Sequence, residues 1–94
     1  MRVAWRAAAR DDRRRITAWL AERNPAAAVR VARALLAATD SLAALPDKGR
    51  PGRVSGTREL SAVPPYVIVY LVDQEAQFVR ILRVWHTSQD REGK

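Results

Sequence analysis

YVIVYLV, residues 66–72, is the stretch of this chain that decides the fold. It is apolar throughout and rich in β-branched residues. A continuous apolar run of this length is typical of a strand that is covered on both faces. Pro64 and Pro65 precede it, and the polar residues 73–77 follow it, so turn signals bound it on both sides. We therefore expect residues 66–72 to form the central strand of a small sheet.

Further strands are predicted on both sides of this run. Arg58 to Val63 (RELSAV) fits a short strand, Phe78 to His86 (FVRILRVWH) a longer one, and Arg2 to Arg6 (RVAWR) a half-buried one at the start of the chain. Strict alternation in the longest strand predicts one face with Val79, Ile81, Arg83 and Trp85, and another with Phe78, Arg80, Leu82, Val84 and His86. Arg83 would then lie on an apolar face, where it could pair with Glu59 or a chain terminus, or contact a partner.

Two helices are predicted between the first and second strands. Ala7 to Arg23 carries an apolar stripe of Ile16, Trp19 and Leu20 at helical spacing. Asn24 and Pro25 form an N-cap followed by a proline at the first helical position, so a second helix begins there. Pro46 and Gly49 end it, and residues 46–57 form a flexible loop.

The predicted order is therefore β-α-α-β-β-β, an α+β fold in which a helical hairpin packs on a small, mainly antiparallel sheet. Its length of 94 residues is enough for one domain, which we expect to span residues 1–94, with residues 87–94 as a mobile tail.

Composition limits the function classes. The chain has no cysteine and one histidine, which excludes disulfides and a zinc site of the usual kind, and we expect neither a metal nor a cofactor. No apolar run approaches 18 residues, and the first residues become charged too early for a signal peptide, so we expect a cytoplasmic protein with no membrane contact.

The net charge is +7; two of the 17 basic residues are lysines and the other 15 are arginines. Such a surface attracts polyanions or acidic protein partners.

Four blocks together resemble the RelE/ParE family of toxins. They are AERNPAAAVRVARALLAATDSLAALP (21–46), GRPGRVSGTREL (49–60), PPYVIVYLV (64–72) and VRILRVWH (79–86). The resemblance implies the toxic component of a bacterial type II toxin–antitoxin system, of the kind associated with plasmid stabilisation. It also implies a ParD-like antitoxin that wraps the toxin with its C-terminal segment. Operator DNA would be bound only indirectly, through the ribbon-helix-helix end of that antitoxin.

The family contains two activities. RelE-like members cut messenger RNA on the ribosome, and ParE-like members inhibit DNA gyrase without being nucleases. In the RelE pattern, Arg58 fits the first basic position, but the other positions fall at Leu60, Val67 and Thr87, and the tail has no tyrosine. The resemblance therefore favours a ParE-like gyrase inhibitor that is not an enzyme.

Two alternatives stay open at this point. A ribosome-dependent mRNA endonuclease would use Arg58, Arg83 and His86, although a histidine at the end of the last strand occurs in both branches of the family and can simply cap the sheet. A basic RNA- or DNA-binding module is a more remote alternative, because no RRM, KH or helix-turn-helix pattern is present.

Two sets of candidate binding residues follow. An apolar groove on the helical hairpin, with arginine at its edge, would receive an amphipathic segment of the antitoxin. The basic loop and tail would contact the target. The expected antitoxin-binding residues are Arg13, Ile16, Trp19, Leu20 and Leu36. The expected target-binding residues are Arg50, Arg53, Arg58 and Arg91. The simpler interpretations are a solvated loop for these arginines and core positions for the tryptophans.

Overall fold

A five-stranded mixed sheet organises the computed structural model, which describes residues 1–88. The elements are β1 (Arg2–Trp5), α1 (Ala7–Arg23), α2 (Pro25–Asp40), a short 3-10 helix (Ser41–Ala43), β2 (Arg50–Pro51), β3 (Thr57–Val63), β4 (Tyr66–Asp73) and β5 (Phe78–His86). The strand order is β1-β5-β4-β3-β2; β1 runs parallel to β5 and the other neighbours are antiparallel. The predicted α+β fold and the central place of residues 66–72 are confirmed. Arg91 and most of the predicted tail lie outside the described residues.

The helical hairpin forms where the sequence predicted it. Asn24 separates the two helices, and its side-chain oxygen accepts a hydrogen bond from the Ala27 N–H at 3.1 Å, with Pro25 in the first turn of α2. This cap satisfies a backbone donor that α2 itself leaves without a partner. The α-helix ends at Asp40, earlier than predicted, and the chain continues as the 3-10 helix before it reaches Pro46.

The core lies between the hairpin and one face of the sheet. Leu35 of α2, Leu42 of the 3-10 helix, and Ile68 and Tyr70 of β4 are fully buried there. The helices cover only this face. On the opposite face Val67 is buried, but Val69 and Leu71 are half-buried, so the expectation that the central strand is covered on both faces holds only for its first part.

The segment between Pro46 and Thr57 is a loop, as predicted, except for the short strand at residues 50–51, and its first part is anchored to the core. Residues 50–51 add β2 to the sheet edge, in register with Glu59 and Arg58. The buried Tyr70 hydroxyl accepts from the Gly49 N–H at 2.8 Å and donates to the Pro46 carbonyl at 2.7 Å. No side chain fits at Gly49, because a Cβ there would lie 2.8 Å from both the Glu59 carbonyl oxygen and the Tyr70 hydroxyl. The start of the loop is therefore fixed to the core.

The predicted faces of β5 were wrong beyond Ile81. Tyr70 pairs with Ile81 and Val69 with Arg83, so Leu82 has no partner in β4 and forms a bulge. One inserted residue reverses the alternation that follows. Val84 therefore joins Val79 and Ile81 in the core. Arg83 lies on the opposite face with Val69, and its guanidinium pairs with Asp12 of α1 rather than with Glu59.

We predict that Tyr70→Phe lowers the free energy of unfolding by about 1–3 kcal/mol, because it leaves the buried Gly49 N–H and Pro46 carbonyl without their partner. Urea denaturation measures the change. Tyr66→Phe is the matched control: Tyr66 is also buried in β4, and no hydrogen bond of its hydroxyl occurs within residues 1–88. Equal losses in the two variants would contradict the assigned role of the Tyr70 hydroxyl.

Candidate binding groove

A groove of about 600 Å³ lies between the second half of α1 and the end of β5. Its walls are mainly aromatic and apolar, with polar groups at the rim. The lining residues are Asp12, Arg15, Ile16 and Trp19 of α1, Tyr66 of β4, Arg83, Val84, Trp85 and His86 of β5, and Ser88. This size and mixture are typical of a binding site, in which an apolar surface provides affinity and a few polar groups orient the ligand.

The groove exists because β1 is shorter than β5. Pairing between the two strands stops at Trp5 and Ile81, and the Arg6 N–H makes a last hydrogen bond to the Ile81 carbonyl at 2.9 Å. The chain then turns into α1, whereas β5 continues to His86. Within residues 1–88, no strand covers this second half of β5 on the side of β1. An open strand edge therefore forms one wall of the groove.

Asp12 of α1 forms hydrogen bonds to this edge of β5. Its carboxylate is 5% exposed and accepts three hydrogen bonds: from the Val84 backbone N–H at 2.9 Å, from Arg83 Nε at 2.8 Å and from Arg83 Nη2 at 3.0 Å. The Asp12 hydrogen bond raises the pKa of Arg83, so its guanidinium stays charged. A buried charge is tolerated only with such partners. Asp12 thus fixes α1 to β5 and occupies a backbone donor that a neighbouring strand would otherwise use.

His86 and Tyr66 form the far end of the groove. Their rings meet edge to face, with 5.6 Å between centroids. The Ser88 N–H and the Ser88 hydroxyl lie 3.2 and 2.9 Å from Nδ1 of His86. Burial raises the pKa of Tyr66, which therefore remains a neutral phenol. His86 is held by its neighbours, as expected for a residue that caps the sheet.

Trp19 is the exposed aromatic side chain of the groove, with 55% of its surface accessible. The guanidinium of Arg23 lies 3.9 Å from the centre of its ring system, and this cation–π contact orients the indole. An exposed large apolar side chain beside a concave surface is typical of a protein-binding site.

The structure brings together only part of the predicted antitoxin-binding set. Ile16 and Trp19 line the groove. Leu20 is half-buried nearby, and Arg13 lies over the ring of Trp5 at 4.6 Å. Leu36 of α2 is 42% exposed on a different surface. The groove lies between α1 and β5 rather than on the hairpin alone. The sequence analysis missed the contributions of Arg15, Tyr66 and Trp85, because the open edge of β5 depends on pairing between strands that are distant in the chain.

The predicted target-binding arginines surround two acidic residues. Arg50 binds Glu59 at 2.8 Å, and Arg53 Nε lies 3.9 Å from the same carboxylate. Arg58 donates to the Gly49 carbonyl at 2.6 Å and lies 3.5 Å from Asp47. These contacts partly neutralise the three positive charges and fix the loop, so these side chains also stabilise the fold. Arg91 lies outside the described residues.

The residues considered for an endonuclease are dispersed. Arg58 pairs with Tyr70, and His86 pairs with Tyr66, so the two positions lie four residues apart along β4, or about 13 Å. The guanidinium of Arg58 points to the loop, and that of Arg83 points to Asp12. General acid–base catalysis needs its groups within hydrogen-bond reach of the same reacting centre. This arrangement does not bring the three residues to one phosphate.

The chain is thus a small α+β protein with an aromatic groove between α1 and the end of β5. The family model described as ParE toxin of type II toxin-antitoxin system, parDE, matches residues 3–91. The chain belongs to this family of toxins. Among the residues described, no helix is long and apolar enough to cross a membrane.

A sequence relative supports the assignment, and solved structures share the fold. The chain is 39% identical over 87 residues to toxin RelE2 of Caulobacter vibrioides, with 93% of this chain and 96% of the relative covered. It is similar to a structure of the chromosomal ParDE system from P. aeruginosa, with a TM-score of 0.80, 23% identity, and 92% and 95% of the two chains covered. It is also similar to the RelBE2 toxin–antitoxin complex from Mycobacterium tuberculosis, with a TM-score of 0.68, 27% identity, and 90% and 95% covered.

We predict that Asp12→Ala lowers the free energy of unfolding by about 2 kcal/mol, because it removes the partner of the buried Val84 N–H and of Arg83. Asp11→Ala is the matched control one residue away, since Asp11 is exposed and pairs with Arg14 at the surface. We expect that variant to change stability by less than about 0.5 kcal/mol. Chemical denaturation at neutral pH measures both. If Asp12→Ala were as stable as Asp11→Ala, α1 would not depend on this contact.

Proposed function

We propose that this chain is a ParE-like toxin that a ParD-like antitoxin neutralises by occupying the groove, and that the free toxin inhibits DNA gyrase in the bacterial cytoplasm. The antitoxin would also carry the specific recognition of operator DNA. The observation that supports the antitoxin site is the exposed Trp19 beside an open strand edge.

The chemistry of the groove favours an acidic, amphipathic segment of the partner. Ile16, Trp19 and Trp85 offer an apolar surface, and Arg15 and Arg83 share a single acid, Asp12. Apolar side chains of the partner would pack on the aromatic wall, and its carboxylates would meet the arginines at the rim. Such charge pairs accelerate association more than they increase affinity. A net charge of +7 on the whole chain agrees with an acidic partner.

The dispersal of Arg58, Arg83 and His86 supports gyrase inhibition over mRNA cleavage. An endonuclease of the RelE kind would need a cation and proton donors around one phosphate. In this structure, Arg58 and Arg83 are bound to the loop and to Asp12, and His86 is held by Ser88. Inhibition by binding requires no such constellation.

We predict that the purified chain inhibits DNA supercoiling by gyrase, with accumulation of cleaved DNA, and leaves messenger RNA on translating ribosomes intact. The two assays are run side by side with the same preparation. An equimolar amount of the cognate antitoxin should restore supercoiling. Cleavage of messenger RNA in the ribosomal A site, with normal supercoiling at a large excess of toxin over gyrase, would show that the endonuclease is the correct alternative.

We also predict that Trp19→Ala weakens binding of the antitoxin by about 30-fold or more, because truncation of a central aromatic anchor costs about 2 kcal/mol or more. Val54→Ala is the control, since Val54 is 63% exposed in the loop between β2 and β3 and far along the chain from the groove. Isothermal titration calorimetry with the antitoxin gives both affinities. An unchanged affinity in Trp19→Ala would place the antitoxin elsewhere.

A further inference from the structure

The face of the sheet that the helices leave uncovered carries a second cluster of arginines, and these lack acidic partners. Arg2 of β1 and Arg80 of β5 are exposed, and their guanidinium groups lie over the ring of Phe78, 5.6 and 5.3 Å from its centre. Neither forms an ion pair with any of residues 1–88. Arg50 and Arg58, in contrast, are paired with carboxylates.

One ring therefore brings two positive charges together, and neither is ion-paired within residues 1–88. Arg6 follows Arg2 and Ala4 in the alternation of β1, is exposed, and likewise has no ion pair within the described part of the chain. Like charges repel each other, and an anion that binds between them relieves that repulsion. We define Arg2, Phe78 and Arg80 as the Phe78 patch.

Asp73 is an acid close to the patch on the same face of the sheet. It is the cross-strand partner of Phe78, at the end of β4. Its Oδ1 accepts a hydrogen bond from the Ala76 N–H at 3.0 Å, within the turn to β5. Its carboxylate forms no ion pair with a guanidinium of residues 1–88. Asp73 therefore lowers the potential beside the patch without neutralising either arginine directly.

We propose that the Phe78 patch binds the phosphate backbone of duplex DNA. Guanidinium groups fit phosphate oxygens with paired hydrogen bonds, and contact with Phe78 orients two of them. The two guanidinium groups also cover the ring, so that Phe78 is poorly placed to stack on a nucleic-acid base. The contacts would therefore go to the backbone and would not depend on base sequence.

The choice of DNA over other polyanions rests on the proposed action on gyrase, an enzyme that holds duplex DNA. Sequence-independent contacts of this kind are compatible with an antitoxin that alone recognises the operator sequence. The binding itself can be measured without gyrase.

The test is fluorescence anisotropy of a labelled 20-base-pair duplex with the full chain, between about 50 and 200 mM salt. Each phosphate contact contributes about 0.9 to the slope of log affinity against log salt. Arg2→Gln/Arg80→Gln should therefore reduce the slope by about 2 and the affinity at least about tenfold. Arg30→Gln/Arg33→Gln is the charge-matched control: both residues are exposed on α2, in the helical layer, and should leave the slope unchanged. Unfolding temperatures confirm that all variants are folded.

A third variant tests the location of the DNA site by a change that should strengthen binding. Asp73→Asn removes the negative charge next to the patch and retains an oxygen for the Ala76 N–H. We expect it to tighten DNA binding about two- to fivefold if the duplex lies over Phe78. Unchanged binding in this variant would place the duplex elsewhere and contradict the proposal.

Several other results would also overturn the proposal. Equal losses of DNA affinity in the two double variants would show that binding depends only on net charge. If the unmodified chain did not bind the duplex at all, the proposed DNA binding would be excluded. If the patch variant lost affinity for the acidic antitoxin but not for DNA, the patch would be a protein-binding surface. Gyrase inhibition separates the two hypotheses. If the chain inhibits gyrase but its DNA binding does not involve the patch, only the hypothesis about the patch is refuted. If DNA binding depends on the patch but gyrase is not inhibited, only the proposed function is refuted.

Discussion

The buried carboxylate of Asp12 is the contact on which the rest of the site depends. A strand longer than its neighbour leaves backbone donors unpaired, and a buried N–H without a partner costs about 1–3 kcal/mol. Asp12 accepts the Val84 N–H and neutralises Arg83 at the same time, and it does so from α1. One side chain therefore joins the helical layer to the exposed edge of β5 and determines how α1 lies over it. Because β1 ends at Trp5, a groove remains beside that contact, and Trp19 stands exposed at its rim.

The arginines of this chain also differ in whether a carboxylate neutralises their charge. Those of the loop after α2 contact Glu59 and Asp47, and Arg83 contacts Asp12, so their charges contribute to the fold. Arg2 and Arg80 contact the ring of Phe78 and have no acid within the described residues. A count of basic residues cannot make this distinction, because it depends on which strands become neighbours. The charges of Arg2 and Arg80 on the sheet are consequently less neutralised by the described residues than those of Arg50 and Arg58 on the loop.

Local patterns predicted most of the fold. The bounds of α1, the cap at Asn24 and the central place of residues 66–72 follow from spacing, capping chemistry and continuous hydrophobicity, which act within a few residues. The bulge at Leu82 was not predictable by alternation, and it reversed the face of every residue that follows it in β5. In the site, Ile16 and Trp19 were found from their helical spacing. The role of Asp12 was not predicted, because its partners lie more than 70 residues away in the chain.

The central claim is that the groove between α1 and the end of β5 receives the antitoxin. The three tryptophans test it within one sample, since Trp19 and Trp85 line the groove and Trp5 lies on β1 beneath Arg13. The direct measurement is a titration of the isotope-labelled chain with its antitoxin, followed by NMR at the three indole N–H groups. We expect large shifts for Trp19 and Trp85 and little change for Trp5. A shift of Trp5 alone, or of none of the three in a saturated complex, would contradict it.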